Sequence, residues 1–314
     1  MLKIITITAN TAIDLRIQVD ALHSEDTLLA TSTHEFAAGK GINVAKTLAS
    51  LNCPVSCLGF VGQQSSSLFQ QLDSAYILTD FIGVEGKTRR NLTLHEQTTN
   101  NEIHIRTHGF SVDAHACQQL AQQLAQLLKP GDTVVLSGSL PPGCPVDFFA
   151  QLIKVAHAHA ARCFLDSSGA SLAAAITAKP DCIKPNQHEL AALSGVHLHD
   201  ERDIIAAART LLAQGIPQIV VSCGARGIIA LTPTQLWRLQ APAPAAIVST
   251  VGCGDALVGG LAYATLHNLA LADTLKLAMS CANANLLSHE PGCFDKTLLQ
   301  TIQNSISLHT EPSN

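Results

Sequence analysis

Short runs of apolar, often β-branched residues recur along the chain, with longer amphipathic stretches between them. The apolar runs are KIITIT, VSCLGFVG, TVVLSGSL, CFLDSSG, CIKPN, QIVVSCG and GIIAL, and their length suits buried strands. Between two of them lies ACQQLAQQLAQLL, where Leu120, Leu124 and Leu127 recur at helical spacing with glutamines opposite. This alternation predicts an α/β fold, with a mostly parallel central sheet flanked by helices on both faces.

Two segments, about 12–36 and 88–107, break this rhythm. They contain LRIQV, NLTLH and EIHIR, in which apolar and polar positions alternate. Alternation with a period of two gives a strand one buried and one solvated face. We therefore expect a small antiparallel β-sheet that stands off the main body. Because ligands of α/β folds bind beyond the carboxyl ends of the parallel strands, this sheet is placed to act as a lid or as a dimer surface.

The domain organisation follows from length and from the absence of a linker. The chain has 314 residues, enough for one large α/β domain or two ordinary ones. No internal repeat or stretch rich in Pro or Ser divides it. We expect a single domain over residues 1–308, followed by a short polar tail, 309–314, that is frayed.

Composition excludes several classes of partner. Nineteen Lys and Arg against 24 Asp and Glu give a formal net charge of −5, which argues against nucleic acid or an anionic membrane as the main partner. No segment reaches the roughly 18 apolar residues that span a bilayer. The opening MLKIITITANTAID suits a buried strand better than a signal peptide, and ten scattered cysteines suit free thiols. A cytoplasmic protein is expected.

The turn STVGCGDALVGG is the first candidate for chemistry. Gly252 and Gly254 precede Asp255 where a helix would begin. The amides of the first helical turn have no partner within the helix, and the helix dipole places positive charge behind them, so the turn predicts an anion hole. The Asp255 carboxylate is either a helix cap, worth about 1 kcal/mol, or a reacting group at the rim; the local pattern leaves both open.

Four further motifs follow predicted strands, where small and hydroxyl residues would line the same rim. They are SGSLPPG (137–143), DSSG (166–169), KPNQHEL (184–190) and VSCGARG (221–227). The NxxE spacing places Asn186 and Glu189 on one face of a helix, which suits a hydrated magnesium ion. The second glycine turn, VSCGARG, suits a flat adenine or a phosphate.

Cations mark two other positions. Lys40 lies between two glycines in AAGKGINVAKTLASL and is either a solvated charge or a ligand for a substrate anion; its confinement favours the ligand. Arg89 and Arg90 begin a lid strand. Since adjacent strand residues face opposite sides, only one of them easily points into a site.

Together these motifs resemble the ribokinase-like, phosphofructokinase B type family of carbohydrate kinases. The family's order is matched over nearly the whole chain by ITANTAID, GKGINVA, TRRN, SGSLPPG, DSSG, KPNQHEL, VSCGARG and STVGCGDALVGG. The resemblance implies a ribokinase-like fold with a lid, ATP as co-substrate, Mg²⁺ and a sugar-phosphate acceptor. It also suggests a homodimer formed through the lid sheets, whose edges would otherwise be unpaired.

The resemblance assigns a role to each matched position. Asp255 corresponds to the catalytic base, and the amides of Gly252, Cys253 and Gly254 to the anion hole around the transferred phosphoryl group. Substrate-binding positions are Asp14, Gly39, Lys40, Asn43, Arg89 and Ser139, of which Arg89 and Ser139 would hold the substrate phosphate. Nucleotide-binding positions are Lys184, Asn186, Ser222, Gly224, Gly227 and Thr250. Asn186 and Glu189 match the motif that acts indirectly on Mg²⁺.

The choice of sugar follows from the loop around Lys40. The run AAGKGINVAK is most similar to bacterial 1-phosphofructokinases, which implies ATP-dependent phosphorylation of fructose 1-phosphate at its 6-hydroxyl. Tagatose 6-phosphate and fructose 6-phosphate are the alternatives within the family. An alternative of another class is a sugar-phosphate sensor without turnover, but such a protein should lack the base or the magnesium motif.

Two positions depart from the family pattern. Thr11 stands where the family usually has proline, which should loosen the turn before Asp14. Cys253 replaces a small residue between the glycines. It is either a tolerated substitution or, as a thiol at a helix amino terminus, a reactive group with a lowered pKa.

Overall fold

The computed structural model describes residues 2–22, 27–99, 101–244 and 246–313. Its strands are β1 (Ile4–Thr8), β2 (Ala12–Val19), β3 (Ser32–Ala38), β4 (Val55–Gly62), β5 (Ile77–Val84), β6 (Arg89–Glu96), β7 (Glu102–Arg106), β8 (Thr133–Ser137), β9 (Arg162–Asp166), β10 (Cys182–Ile183), β11 (Gln218–Ser222), β12 (Ile228–Leu231), β13 (Gln235–Gln240) and β14 (Ser307–Pro312). Its helices are α1 (Lys40–Ser50), α2 (Ser66–Gln70), α3 (Ala114–Leu127), α4 (Phe148–Ala158), α5 (Gly169–Ala175), α6 (Gln187–Ser194), α7 (Glu201–Ala213), α8 (Cys253–Leu266), α9 (Leu271–Asn285) and α10 (Leu299–Ser305).

The main sheet has the strand order β14-β13-β12-β11-β10-β9-β8-β1-β4-β5. All neighbours from β11 to β5 pair in parallel, whereas β12, β13 and β14 are antiparallel to their neighbours. A parallel pair needs a crossover of a dozen or more residues, and only residues 223–227 separate β11 from β12, so the chain must reverse there. The predicted mostly parallel sheet is confirmed.

Helices cover both faces of this sheet, as predicted. On one face, α3, α4 and α7 bury side chains such as Leu120, Phe149 and Leu211 against the strands. On the other, α1, α8 and α9 bury side chains such as Leu48 and Leu261. Within the described residues no helix is both long and apolar enough to cross a membrane.

A separate sheet with the order β3-β2-β6-β7 is formed by the two segments with alternating polarity; residues 23–26 and 100 of those segments lie outside the described residues. The prediction of an antiparallel sheet is wrong at its centre, where β2 and β6 pair in parallel from Ala12↔Arg89 to Val19↔Glu96. Both strands continue from parallel strands of the main sheet, β2 from β1 and β6 from β5. They therefore leave the carboxyl-end rim in the same direction, with β3, α1, β4, α2 and β5 between them in the chain. We call this sheet the lid sheet.

The prediction of a frayed tail is also wrong for residues 309–312. These belong to β14, which pairs with β13 from Ser307↔Gln240 to Pro312↔Gln235. Backbone hydrogen bonds and an Arg238–Glu311 ion pair at 3.0 Å hold this polar edge strand. Its polar composition carries no strand pattern, so the sequence did not predict it. The single-domain division stays a prediction.

Candidate active site

A cavity of about 520 Å³ lies at the carboxyl ends of β1, β8, β9 and β10, beneath the lid sheet. The structure brings together here most of the predicted site residues: Asp14, Gly39, Lys40, Asn43, Arg89, Ser139, Lys184, Asn186, Glu189, Ser222, Gly252, Gly254 and Asp255. Motifs up to about 240 residues apart in sequence therefore converge on one site, as the topology of parallel strands requires.

The glycine turn leads directly into α8. Gly252 is the residue before the helix, with φ at +82°, a left-handed conformation that favours glycine. Within the described residues the amides of Gly252, Gly254 and Asp255 have no hydrogen-bond acceptor, whereas the Cys253 amide donates to the Thr250 carbonyl at 3.5 Å. Three amides without an acceptor thus lie at a helix amino terminus that borders the cavity, which is a site suited to an anion.

The Asp255 side chain does not cap its helix. Its Oδ2 accepts a hydrogen bond of 2.7 Å from Nδ2 of Asn43, which lies on α1, the helix packed beside α8. Both residues are buried, with 6% and 7% of their surface exposed. The capping interpretation is therefore wrong, and the carboxylate points at the cavity.

Burial, followed by repulsion from Asp166, raises the pKa of Asp255 to about 7. Lys40, the Asn43 hydrogen bond and Lys184 oppose this rise. A carboxylate whose pKa lies near 7 is partly ionised at pH 7, and it binds a proton more tightly than an ordinary carboxylate does. Both properties are required of an efficient general base.

A buried charge cluster borders Asp255 and was not predicted from the sequence. Asp166, at the end of β9 and 1% exposed, pairs with Lys40 Nζ at 3.4 Å and with Lys184 Nζ at 3.3 Å. Burial lowers the pKa of Lys40, but attraction to Asp166, Asp255 and Glu189 outweighs it and raises the pKa. Lys40, whose side chain is 40% exposed, is thus held as an ion-paired cation at the site.

At the lid end the two adjacent arginines diverge. Arg89 lines the cavity and donates to the carbonyls of Asn10 at 3.0 Å and Thr11 at 3.3 Å. Arg90 instead pairs with Glu35 at 3.0 Å and remains 54% exposed. The expectation that only one of them points into the site is confirmed, and it is the one in the family position.

The lid sheet places a row of polar side chains over the cavity. Asp14 of β2 pairs in register with Asn91 of β6, which in turn pairs with Arg106 of β7. Asn91 Nδ2 donates to Asp14 Oδ1 at 2.7 Å, and burial raises the pKa of Asp14. Burial, and then repulsion from Arg106, lower the pKa of Arg89.

Sequence reasoning missed Asn10, Asn91, Arg106 and Asp166, all of which line the cavity. Alternation in EIHIR places Arg106 on the polar face of its strand, and that signal was present. What the sequence did not contain is the register that aligns this strand with Asn91. Asp166 lay within the quoted DSSG motif and could have been noted as a charge at the end of a buried strand.

Asn186 and Glu189 form a reciprocal capping box at the start of α6. Asn186 Oδ1 accepts from the Glu189 amide at 2.9 Å, and Glu189 Oε2 accepts from the Asn186 amide at 2.8 Å. The NxxE spacing thus also has a purely structural cause. Within the described residues no group of three or more His, Cys, Asp or Glu could hold a metal ion. The donor set fits a hydrated Mg²⁺, which keeps several waters and uses one or two carboxylates together with substrate phosphates.

The cavity lining does not include four predicted positions, Cys253, Gly224, Gly227 and Thr250. Gly227 has a packing reason to be glycine, because a Cβ there would lie 1.9 Å from the Leu239 carbonyl oxygen. The Cys253 thiol is turned toward Asn285, whose Nδ2 donates to it at 3.3 Å. Burial raises the pKa of Cys253, which favours the tolerated substitution over the reactive thiol.

Thr11 replaces proline without leaving the turn unsupported. Its side chain is fully buried, and Oγ1 donates to the Phe60 carbonyl at 2.7 Å. A hydrogen bond to β4 thus fixes the segment before Asp14. The loosening relative to proline stays a prediction.

These features define a phosphotransferase site, and comparison with known proteins gives its family. The chain belongs to the pfkB family of carbohydrate kinases, whose family model matches residues 3–296. It is therefore an enzyme that transfers a phosphoryl group to an alcohol acceptor. The resemblance deduced from the motifs is confirmed.

Individual relatives extend this result along the chain. The chain is 43% identical over 272 residues to a 1-phosphofructokinase of Xanthomonas campestris pv. campestris, covering 85% of each protein. It is 34% identical over 314 residues to a 1-phosphofructokinase of Haemophilus influenzae, covering 98% of each. The tetrameric inhibited form of phosphofructokinase-2 from Escherichia coli shares the fold, with a TM-score of 0.88 and 28% identity over 97% of this chain and 99% of that one.

Proposed function

We propose that this kinase phosphorylates fructose 1-phosphate at its 6-hydroxyl with ATP, giving fructose 1,6-bisphosphate. One observation carries the proposal: a single cavity has a buried carboxylate beside unpaired helix amides at one end and two arginines, Arg89 and Arg106, at the other. A sugar with a phosphate at one end and a reacting hydroxyl at the other fits this polarity. The two relatives named 1-phosphofructokinase and Lys40 in the GKG loop favour the 1-phosphate.

The lid end would bind and orient the acceptor. The guanidinium groups of Arg89 and Arg106, with the Ser139 hydroxyl, offer charge-assisted hydrogen bonds to the phosphate. Asp14, held by Asn91, offers an acceptor to the sugar hydroxyls, and Asn43 at the transfer end offers a further contact to them. Their placement would present the far hydroxyl to Asp255.

The transfer end would carry the chemistry. The hydroxyl oxygen of the sugar forms a bond to the γ-phosphorus of ATP, and the bond from that phosphorus to the ADP oxygen breaks. Asp255 accepts the proton that the hydroxyl loses. The amides of Gly252, Gly254 and Asp255 and the nearby ammonium groups of Lys40 and Lys184 stabilise charge on the transferred group. Phosphoryl transfer depends mainly on such positioning and electrostatic stabilisation.

The nucleotide would lie along the edge formed by Lys184, Asn186 and Ser222. Glu189 Oε1, which is outside the capping box, would hold the water shell of Mg²⁺. When bound, that ion neutralises charge on the phosphate oxygens of ATP. Gly224, Gly227 and Thr250 do not line the cavity, and only the glycine turns in which they lie support their place near the nucleotide.

The decisive assay compares kcat/KM for fructose 1-phosphate, fructose 6-phosphate and tagatose 6-phosphate with ATP and Mg²⁺. We expect a clear preference for fructose 1-phosphate. A preference for either 6-phosphate would reassign the substrate within the family. Binding of sugar phosphates without turnover of any of them would favour a sensor over an enzyme.

We further propose a homodimer formed through the lid sheets of two cytoplasmic copies. Within the described residues β7 is the last strand of the lid sheet, and its Ile103 and Ile105 are 45% and 52% exposed. An exposed apolar edge strand usually needs cover. The substitution Ile105→Glu should shift the mass measured by light scattering from dimer to monomer, and an unchanged mass would exclude this surface.

A further inference from the structure

Asn285 is a buried amide outside every motif that the sequence analysis identified. It is the last residue of α9 and is 1% exposed. It does not line the cavity. Burying an amide side chain is unfavourable unless its polar atoms are hydrogen-bonded. The hydrogen-bond partners of Asn285 therefore indicate its role.

Those partners lie on two separate segments next to the anion hole. Nδ2 donates to the Val251 carbonyl at 2.8 Å and to the Cys253 sulfur at 3.3 Å. Oδ1 accepts from the Gly292 amide at 2.7 Å. One side chain therefore links the residues immediately before and within the glycine turn to the loop at 291–292.

Further contacts hold the same turn against the end of α9. The Leu286 carbonyl accepts from the amides of Val248 at 2.8 Å and Ser249 at 3.3 Å. Pro291 packs so closely on Gly252 that a Cβ there would lie 2.6 Å from the proline Cβ. The turn thus has little freedom to move, and Asn285 lies at the centre of its support.

We propose that Asn285 is a positioning residue for the anion hole, a role that rests on the proposed function of that turn. The Gly252 N–H lies in the peptide plane that joins residues 251 and 252, and the Gly254 N–H lies in the plane that joins residues 253 and 254. The orientation of these two planes therefore sets the direction of both donors. Asn285 fixes those planes from behind through the Val251 carbonyl and the Cys253 side chain. A displacement of about 1 Å in a catalytic group can cost on the order of a hundredfold in rate.

The test uses Asn285→Leu, which keeps the branched shape and the number of heavy atoms of the side chain and removes its three hydrogen bonds. We expect kcat to fall by about ten- to a hundredfold, approaching the loss seen when a donor to a developing oxyanion is removed. KM for the sugar phosphate should not change, because Arg89 and Asp14 lie on other elements. Ser280→Ala is the matched control, since Ser280 is buried in the same helix and its Oγ donates to the Lys276 carbonyl of that helix.

A second measurement separates positioning from simple destabilisation. ADP with aluminium fluoride and the sugar phosphate imitates the transferred group, so Asn285→Leu should weaken this complex while leaving the Kd of ADP alone unchanged. If Asn285→Leu and Ser280→Ala lower Tm equally and both keep wild-type kcat, the proposal is overturned. Asn285→Ser, which leaves a small hydroxyl in the buried space, provides the same readouts if the leucine variant fails to fold.

The outcome is distinguishable from failure of the proposed function. All variants are assayed with whichever sugar phosphate the wild-type enzyme phosphorylates, so a wrong choice of sugar leaves the test of Asn285 intact. If the wild type phosphorylates none of them, the proposed function fails. The aluminium fluoride complex then still decides whether Asn285 supports an anion site.

Discussion

The two ends of the cavity are built in different ways. At the transfer end Asp255, Asp166, Asn43 and Lys184 are nearly fully buried, and each is hydrogen-bonded or ion-paired to another cavity residue. At the lid end the side chains project from strands with partly exposed faces. β7 is exposed along its whole length.

Under the proposed function, this difference separates chemistry from binding. A low dielectric strengthens charge interactions and shifts the pKa of Asp255 toward neutrality, which is useful where a proton moves. A half-exposed sheet can supply cations for a phosphate with a smaller desolvation cost. We therefore expect changes at the transfer end to lower kcat and changes at the lid end to raise KM.

The largest effect is expected for Asp255→Asn, which keeps the side-chain shape and removes the base. Since general-base catalysis contributes about 10²–10⁴-fold, kcat should fall by at least about a hundredfold while the Kd of ATP measured by calorimetry is retained. Near-normal turnover would mean that the transfer end does not depend on this carboxylate, and the contrast between the two ends would fail.

At the lid end Arg89→Ala should raise KM for the sugar phosphate by about ten- to a hundredfold, because hydrogen bonds to charged groups contribute about 1.5–3 kcal/mol. Arg90→Ala is the matched control on the same strand, since Arg90 pairs with Glu35 outside the cavity. Steady-state kinetics of both variants decide the matter. Equal changes in the two would show that the lid strand is merely destabilised.

The same contrast explains what the sequence could predict. The transfer end consists of glycine turns and polar residues at strand ends, and these are visible as local patterns around Asp255 and Asn186. The lid end depends on cross-strand register, which brings Asp14, Asn91 and Arg106 into one row. Register depends on tertiary pairing, so the alignment of Arg106 with Asn91 could not be deduced.

Long-range polar contacts were equally invisible. The Asn43–Asp255 hydrogen bond joins residues 212 positions apart, and Asn285 supports the glycine turn from 34 positions away. A local pattern shows that Asp255 follows two glycines. It cannot show which side chain will donate a hydrogen bond to the carboxylate. For that reason the sequence left both interpretations of Asp255, helix cap and catalytic base, equally open.

The pH dependence tests the low dielectric at the transfer end. Burial raises the pKa of Asp255 to about 7, and the base must be ionised, so kcat/KM should fall as pH drops through 7 and be about tenfold lower one unit below that pKa. Asp166→Asn should move this limb to lower pH, because repulsion from Asp166 raises the Asp255 pKa. Ionisation of the substrate phosphate would not move with that substitution, so an immobile limb would assign the titration to the substrate.

The smallest effect is expected at Cys253, which lies in the transfer end but outside its chemistry. Its thiol is turned from the cavity toward Asn285, and burial raises its pKa, so little reactive thiolate forms at neutral pH. Cys253→Ala leaves the Asn285 hydrogen bonds to Val251 and Gly292 in place, so it should lower kcat far less than Asn285→Leu does, and iodoacetamide should inactivate the two proteins at the same slow rate. Rapid inactivation of the wild type that ATP prevents and Cys253→Ala abolishes would show instead that the thiol reaches the cavity, and that the turn is less firmly held than its hydrogen bonds indicate.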